Sequence, residues 1–199
     1  MAAQERDWVG DRHSLALVVA ILLLAAFLRL HDLDAQSFWN DEGNSARIIE
    51  RTPALIVEAA AGDSPPPLYY LALAGWRLAA GFSEFALRAF SAACGVLTVA
   101  LTFALGRHLF GVAVGRLGAL IVAAHAFQVY YSQEARMYAL MAALGVGSMY
   151  AFVRWLGTRP AGGLRAALTS RWALALIALN TAGLYTQYAF PAVLLVQAI

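Results

Sequence analysis

The stretch SLALVVAILLLAAFLRL (Ser14–Leu30) carries no charge until Arg29. A helix that spans a bilayer needs about 20 mostly apolar residues, and this run with its flanks is close to that length. No small-residue cleavage site follows it, so it reads as a retained helix and not as a removed signal. It decides the fold class, because the rest of the chain continues in the same manner.

Composition agrees. Of 199 residues, 61% are hydrophobic and only 13% are charged, whereas a soluble domain carries about 25%. All fourteen cations are Arg, and they form no basic run. That pattern excludes a nucleic-acid partner. Cys94 stands alone in an apolar stretch. It excludes a disulfide framework and a thiolate metal site, and is read as a small buried hydrophobe.

Further spans are expected over 85–106, 112–131, 138–156 and 172–186. Another apolar run starts near Tyr188 and reaches Ile199, so the chain reads as the N-terminal portion of something longer. Residues 66–82 are apolar but short, and they contain Arg77.

The charges orient these spans. Segment 31–64 holds seven acids and two Arg, whereas 107–116 and 157–171 hold Arg and no acid. Basic short loops stay in the cytoplasm, which places 31–84 outside and residues 1–13 inside. The chain must then cross an odd number of times between 31–64 and 107–116. The Arg-bearing 66–82 is therefore expected as an interfacial helix and 85–106 as the crossing. Thr52-Pro53 and Ser64-Pro65 each read as a cap followed by a first-turn proline. The outer loop is thus expected to hold two or three short helices.

This topology brings polar groups to one face. After Asp63 only two acids remain, Glu84 and Glu134, and both fall at the outer side with Asp41, Glu42 and Asp63. Arg88 and Arg136 lie near the outer ends of their helices, and Tyr185–Tyr188 returns to the same level. Taken singly, each has an ordinary reading. Phe38 and Trp39 suit interfacial anchors; Arg88 and Arg136 can snorkel; Glu134 and Arg136 can form a local pair. His13, His31, His108 and His125 show no ligand spacing. Together the polar groups describe a site, since acids at membrane depth are costly. A carboxylate there can act as a general base or hold a divalent cation, and Arg can grip a phosphate. Group transfer from a lipid-linked phosphate fits these parts, and no Gly-rich nucleotide loop is present.

Five segments carry a family resemblance: SFWNDEGNSAR (37–47), DSPPPLYYLALAGW (63–76), FALRAFSAACGVLTVALTFALGRHLFG (85–111), YYSQEARMYALMAAL (130–144) and LYTQYAFPAVLLVQ (184–197). In this order they resemble the polyprenyl-phosphate-sugar glycosyltransferases of GT-C fold. The similarity is to the bacterial family-39 group and to the protein O-mannosyltransferases. It implies an all-α polytopic membrane protein in a bacterial inner membrane, with residues 14–199 forming the catalytic module and the site on the periplasmic side. It implies inverting, single-displacement transfer from a polyprenyl-phosphate sugar to a lipid, protein or polysaccharide acceptor. Asp41 is implied as the catalytic carboxylate, supported by Glu42, with Glu134 near the acceptor or a metal. Arg88 and Arg136 are implied to face the donor phosphate, and Tyr69 and Tyr70 to line the approach of the lipid. A divalent cation (Mg or Mn) on Asp41 and Glu134 stays open. Pro65 stands where relatives often carry His or another polar residue, and Gln187 where His is common. A transporter or flippase, or an inactive fragment, is the competing reading. A transporter more often places acids at the bilayer midplane, and the middles of 85–106, 112–131 and 138–156 hold none.

Overall fold

A computed structural model describes residues 12–62, 65–157 and 168–198. Most of the expected N-terminal segment 1–13 lies outside these residues, as do Asp63, the expected cap Ser64, and Arg159 and Arg165. Among the described residues the fold is all-α. It comprises α1 (Arg12–Leu30), α2 (Asn40–Ile48), α3 (Pro53–Gly62), α4 (Leu68–Ala80), α5 (Glu84–Phe110), α6 (Val112–Ala124), α7 (Ala126–Ser132), α8 (Tyr138–Leu156), α9 (Arg171–Leu184) and α10 (Pro191–Ala198). Three of them, α1, α5 and α8, are long and apolar enough to cross a membrane, and α6 with α7 makes a fourth as one bent pair.

Helix α5 is the central post. Ser83 caps it by accepting a hydrogen bond from the Ala86 N–H at 3.2 Å. Glu84 lies in its first turn and Arg107 and His108 in its last, the signs that a helix dipole favours. Only Gly111 separates α5 from α6, and its φ of 93° is a conformation that glycine adopts without strain. The two helices then pack almost backbone to backbone. A Cβ on Gly115 would sit 2.7 Å from the Arg107 nitrogen and 2.8 Å from the Phe103 carbonyl oxygen. Helix α1 closes this hairpin through Ala25, Val99, Phe103, Ala119 and Ala123. Helix α8 packs on another face of α5 around Cys94, Ala139 and Ala143. Cys94 is buried, as its apolar surroundings predict.

The short helices α2, α3 and α4 occupy the segment where two or three were expected. They bury Ala46, Ile49, Ile56, Tyr69, Tyr70 and Leu73 against Leu87 and Met137, so they cap the bundle where α5 and α8 begin. The backbone ties Tyr185 to the same end, its carbonyl accepting from the Leu68 N–H at 2.9 Å. The opposite helix ends carry Arg107, His108, Arg154 and Arg171, and the Arg154 guanidinium stacks 4.7 Å over Trp172.

Three expectations change. The run 112–131 is not one helix, because it bends by 60° at His125 between α6 and α7. The run 172–186 yields a helix of 14 residues, shorter than a full span, followed by a turn and α10. Helix α4 begins at Leu68, not at Pro65, since Pro65–Pro67 occupy the turn before it. Within the bundle Ser148, Asn180 and Gln197 close a ring of hydrogen bonds that joins α8, α9 and α10. Such polar contacts hold helices together where lipid gives no hydrophobic drive.

Gly115→Leu forces the α5–α6 hairpin apart. Overpacking of this kind costs about 1–3 kcal/mol or more, and thermal unfolding of the purified protein in detergent checks the lowered Tm.

Candidate active site

The centre of the polar end is one ion pair. Arg88, in the second turn of α5, donates from Nε to Glu42 Oε1 at 2.9 Å and from Nη2 to Glu42 Oε2 at 2.7 Å. Both side chains are almost completely buried. The remaining guanidinium hydrogens reach the carbonyls of Leu33 and Gln36 at 2.8 Å and Ser37 at 3.3 Å. The Phe38 ring lies 5.3 Å from the guanidinium carbon. One cation thus gathers the whole segment between α1 and α2. A planar fork that bonds a carboxylate through two hydrogens is the strongest form of such a pair.

Glu42 also reaches a third segment. Its Oε1 accepts from the Ala135 N–H at 2.7 Å, in the loop between α7 and α8. Its Oε2 meets the Trp39 N–H at 3.4 Å and helps start α2. The first loop, α5 and the second loop therefore meet on one carboxylate.

Asp41 stands beside this knot and is more open, with 44% of its side chain exposed. Arg136 comes to it from the second loop. Its Nη2 lies 3.4 Å from Asp41 Oδ2, and its Nη1 donates to the Asp41 carbonyl at 3.3 Å. Ser45 Oγ accepts weakly from the same nitrogen at 3.5 Å, and Ser91 bonds the Arg136 carbonyl at 3.3 Å. Arg136 Nε is buried without a hydrogen-bond partner among the described residues. Glu134 is buried two residues earlier. Burial pushes its carboxyl above the ordinary carboxylate range; the Tyr130 hydroxyl opposes this by hydrogen bonding, Glu42 and Asp41 add to it, and Arg136 opposes it.

The structure brings Asp41, Glu42, Arg88, Glu134 and Arg136 together. It does not keep all five available. The donors of Arg88 are engaged by Glu42 and three carbonyls. Arg136 pairs with Asp41 and not with Glu134. Tyr69 and Tyr70, expected to line the approach of a lipid, are fully buried in the core, because their positions on α4 face the cluster around Leu73 and Leu87. Phe38 is half-buried, with its ring against the Arg88 guanidinium, whereas Trp39 is exposed. Among the described residues no three His, Cys, Asp or Glu gather as a metal site requires. Glu42 is occupied by Arg88 and Ala135, so Asp41 and Glu134 are the carboxylates of the cluster that are not held by Arg88. Gln187 spends its side-chain oxygen on the Tyr188 N–H. Sequence reasoning missed Arg29, Gln133 and Tyr130. A charged residue inside the apolar run of α1 was the available signal for Arg29.

These features define an all-α membrane protein with an acid–guanidinium site at one end of its bundle. The family model for dolichyl-phosphate-mannose-protein mannosyltransferases matches residues 63–199. The chain therefore belongs to that family, a family of membrane glycosyltransferases. The match includes Tyr69, Tyr70, Arg88, Glu134 and Arg136, while Asp41 and Glu42 precede it. No curated protein and no solved structure matches the chain significantly.

Glu42→Gln leaves the Arg88 charge buried without its partner, and loss of one member of a buried pair costs about 3–5 kcal/mol. Asp41→Asn touches only a longer, exposed pair of the kind that contributes about 0–1 kcal/mol. Denaturant unfolding of the two variants in micelles should separate them in that order.

Proposed function

We propose that the chain transfers a sugar from a polyprenyl-phosphate donor to an acceptor hydroxyl or amine, at the outer face of a bacterial inner membrane. The observation that carries this reading is the Asp41–Arg136 pair, which sets an exposed carboxylate beside a guanidinium on the rim of the buried Glu42–Arg88 knot. Asp41 takes the proton from the acceptor as general base. The acceptor atom attacks the anomeric carbon, and the bond from that carbon to the phosphate oxygen breaks. The electron pair leaves with the polyprenyl phosphate, inverting the anomeric centre. Arg136 stabilises the departing phosphate through its planar donors. Glu134 orients the acceptor in its ionised form. Glu42 and Arg88 hold Asp41 and Ala135 in place and do not touch the substrate, a change from the donor-facing role expected of Arg88. The acceptor is a lipid, a protein or a polysaccharide. Membership of the family supports glycosyl transfer, and the middles of α5, α6 and α8 hold none of the acids that a transporter more often places at the bilayer midplane.

Transfer is measured in membranes with a radiolabelled polyprenyl-phosphate sugar. Asp41→Asn is expected to lower kcat by about 10²–10⁴-fold, and intact transfer by that variant removes the assignment. The pH profile tests Glu134. A carboxyl held above its ordinary range stays neutral to higher pH, so the acid limb of activity lies higher than that of an exposed carboxylate. Glu134→Gln should move that limb to lower pH; an unmoved limb excludes the ionised role.

A further inference from the structure

Each end of a helix leaves backbone groups without intrahelical partners, and hydrocarbon supplies no water to satisfy them. Two such carboxyl ends meet beside α5. Helix α6 stops at Ala124, and Arg29 of α1 donates to its last turn: Nη1 to the Ala123 carbonyl at 3.0 Å and Nη2 to the Val122 carbonyl at 3.1 Å. Helix α1 stops at Leu30, and Gln133, just past α7, donates from Nε2 to the carbonyls of Leu28 at 3.1 Å and His31 at 3.0 Å. Arg29 of α1 thus caps α6 at the α6–α7 bend, and Gln133, the residue after α7, caps α1.

Arg29 is completely buried, and each of its described hydrogen bonds goes to a carbonyl, including Ala25 in its own helix at 3.2 Å. A buried guanidinium with no carboxylate is costly to keep in an apolar bundle. The third element of the contact is Gly95 of α5. A Cβ there would lie 2.2 Å from Ser132 Oγ and 2.6 Å from Arg29 Nε. The absence of a side chain at Gly95 is what lets Arg29 and Ser132 sit against the post. The residue after Gln133 is Glu134, and the one after that is Ala135, whose N–H holds Glu42.

We propose that Arg29, Gln133 and Gly95 form a brace that positions the second loop, so that Arg29 and Gln133 are positioning residues for the site. The brace fixes the chain at Gln133, immediately before Glu134, and the Glu42 carboxylate fixes it immediately after Glu134, at the Ala135 N–H. Its catalytic consequence rests on the proposed transfer reaction, whereas its structural consequence does not.

The test uses the full chain in lipid nanodiscs, with amide hydrogen exchange read at Glu134, Ala135 and Arg136. The variants are Gln133→Leu, Gly95→Ala and Arg29→Lys. Gln133→Leu and Gly95→Ala are expected to speed exchange at Ala135 by about tenfold or more, a local opening that leaves the amides of α8 from Ala143 to Ala151 protected. Arg29→Lys keeps the charge but loses the fork, and is expected to show the same change at smaller size. In the transfer assay the braced loop predicts a lower kcat, a raised donor KM and an acid limb moved downward as Glu134 loosens. Unchanged exchange at Ala135 in all three variants overturns the brace, as does acceleration spread equally through α8. Local acceleration in the variants, with no transfer by the unaltered protein, supports the brace and removes the reaction assigned to the site.

Discussion

The arrangement depends on the need of Arg88 for a partner. A guanidinium buried near the start of an apolar helix cannot remain alone. Glu42 supplies the carboxylate, and Leu33, Gln36 and Ser37 supply the carbonyls. The polar segment between α1 and α2 is therefore held by electrostatics in a dry place more than by its own hydrophobic surface. Asp41 is placed as a consequence. Neighbours on a helix point about 100° apart, so turning Glu42 inward turns Asp41 to the rim.

Much of this frame was legible in the sequence. The charge deficit and the run at Ser14–Leu30 specify a membrane protein, and the charged flanks of α5 set its ends to within a few residues. The gathering of Asp41, Glu42, Arg88, Glu134 and Arg136 followed from counting crossings, because the few acids after Asp63 had one end of the bundle to go to. What the count did not contain is which acid meets which base. Five charged residues at one level admit several pairings. The choice of Glu42 for Arg88 and Asp41 for Arg136 is made by rotation about the α2 axis and by the Ala135 N–H.

The bend between α6 and α7 was illegible for a different reason. Residues 112–131 contain neither proline nor a run of glycine at the break, and hydropathy is continuous across His125. The bend exists because its freed carbonyls at Val122 and Ala123 are answered by a side chain that lies 93–94 residues earlier. No local pattern encodes a cap supplied from so far away. The burial of Tyr69 and Tyr70 has a similar origin. Two adjacent tyrosines on a short apolar helix fit a lipid-facing belt as readily as a core, and the face is settled by what α5 and the second loop present to it.

The two ion pairs of the site differ in a way that bears on catalysis. Glu42–Arg88 is bidentate, short and dry, and it is reinforced by carbonyls on the cation and by a backbone N–H on the anion. Asp41–Arg136 has one contact to the half-exposed carboxylate, at 3.4 Å, beside a 3.3 Å bond to the Asp41 carbonyl. An incoming phosphate offers Arg136 more charge and more acceptor atoms than Asp41 does. It cannot compete as well for Arg88, whose donors are already matched. In the proposed reaction the donor therefore exchanges with Asp41 at the weaker pair. That exchange leaves the carboxylate free for the acceptor proton only after the donor phosphate is in place. The stronger pair does not move, and it keeps both loops at the distance the exchange requires.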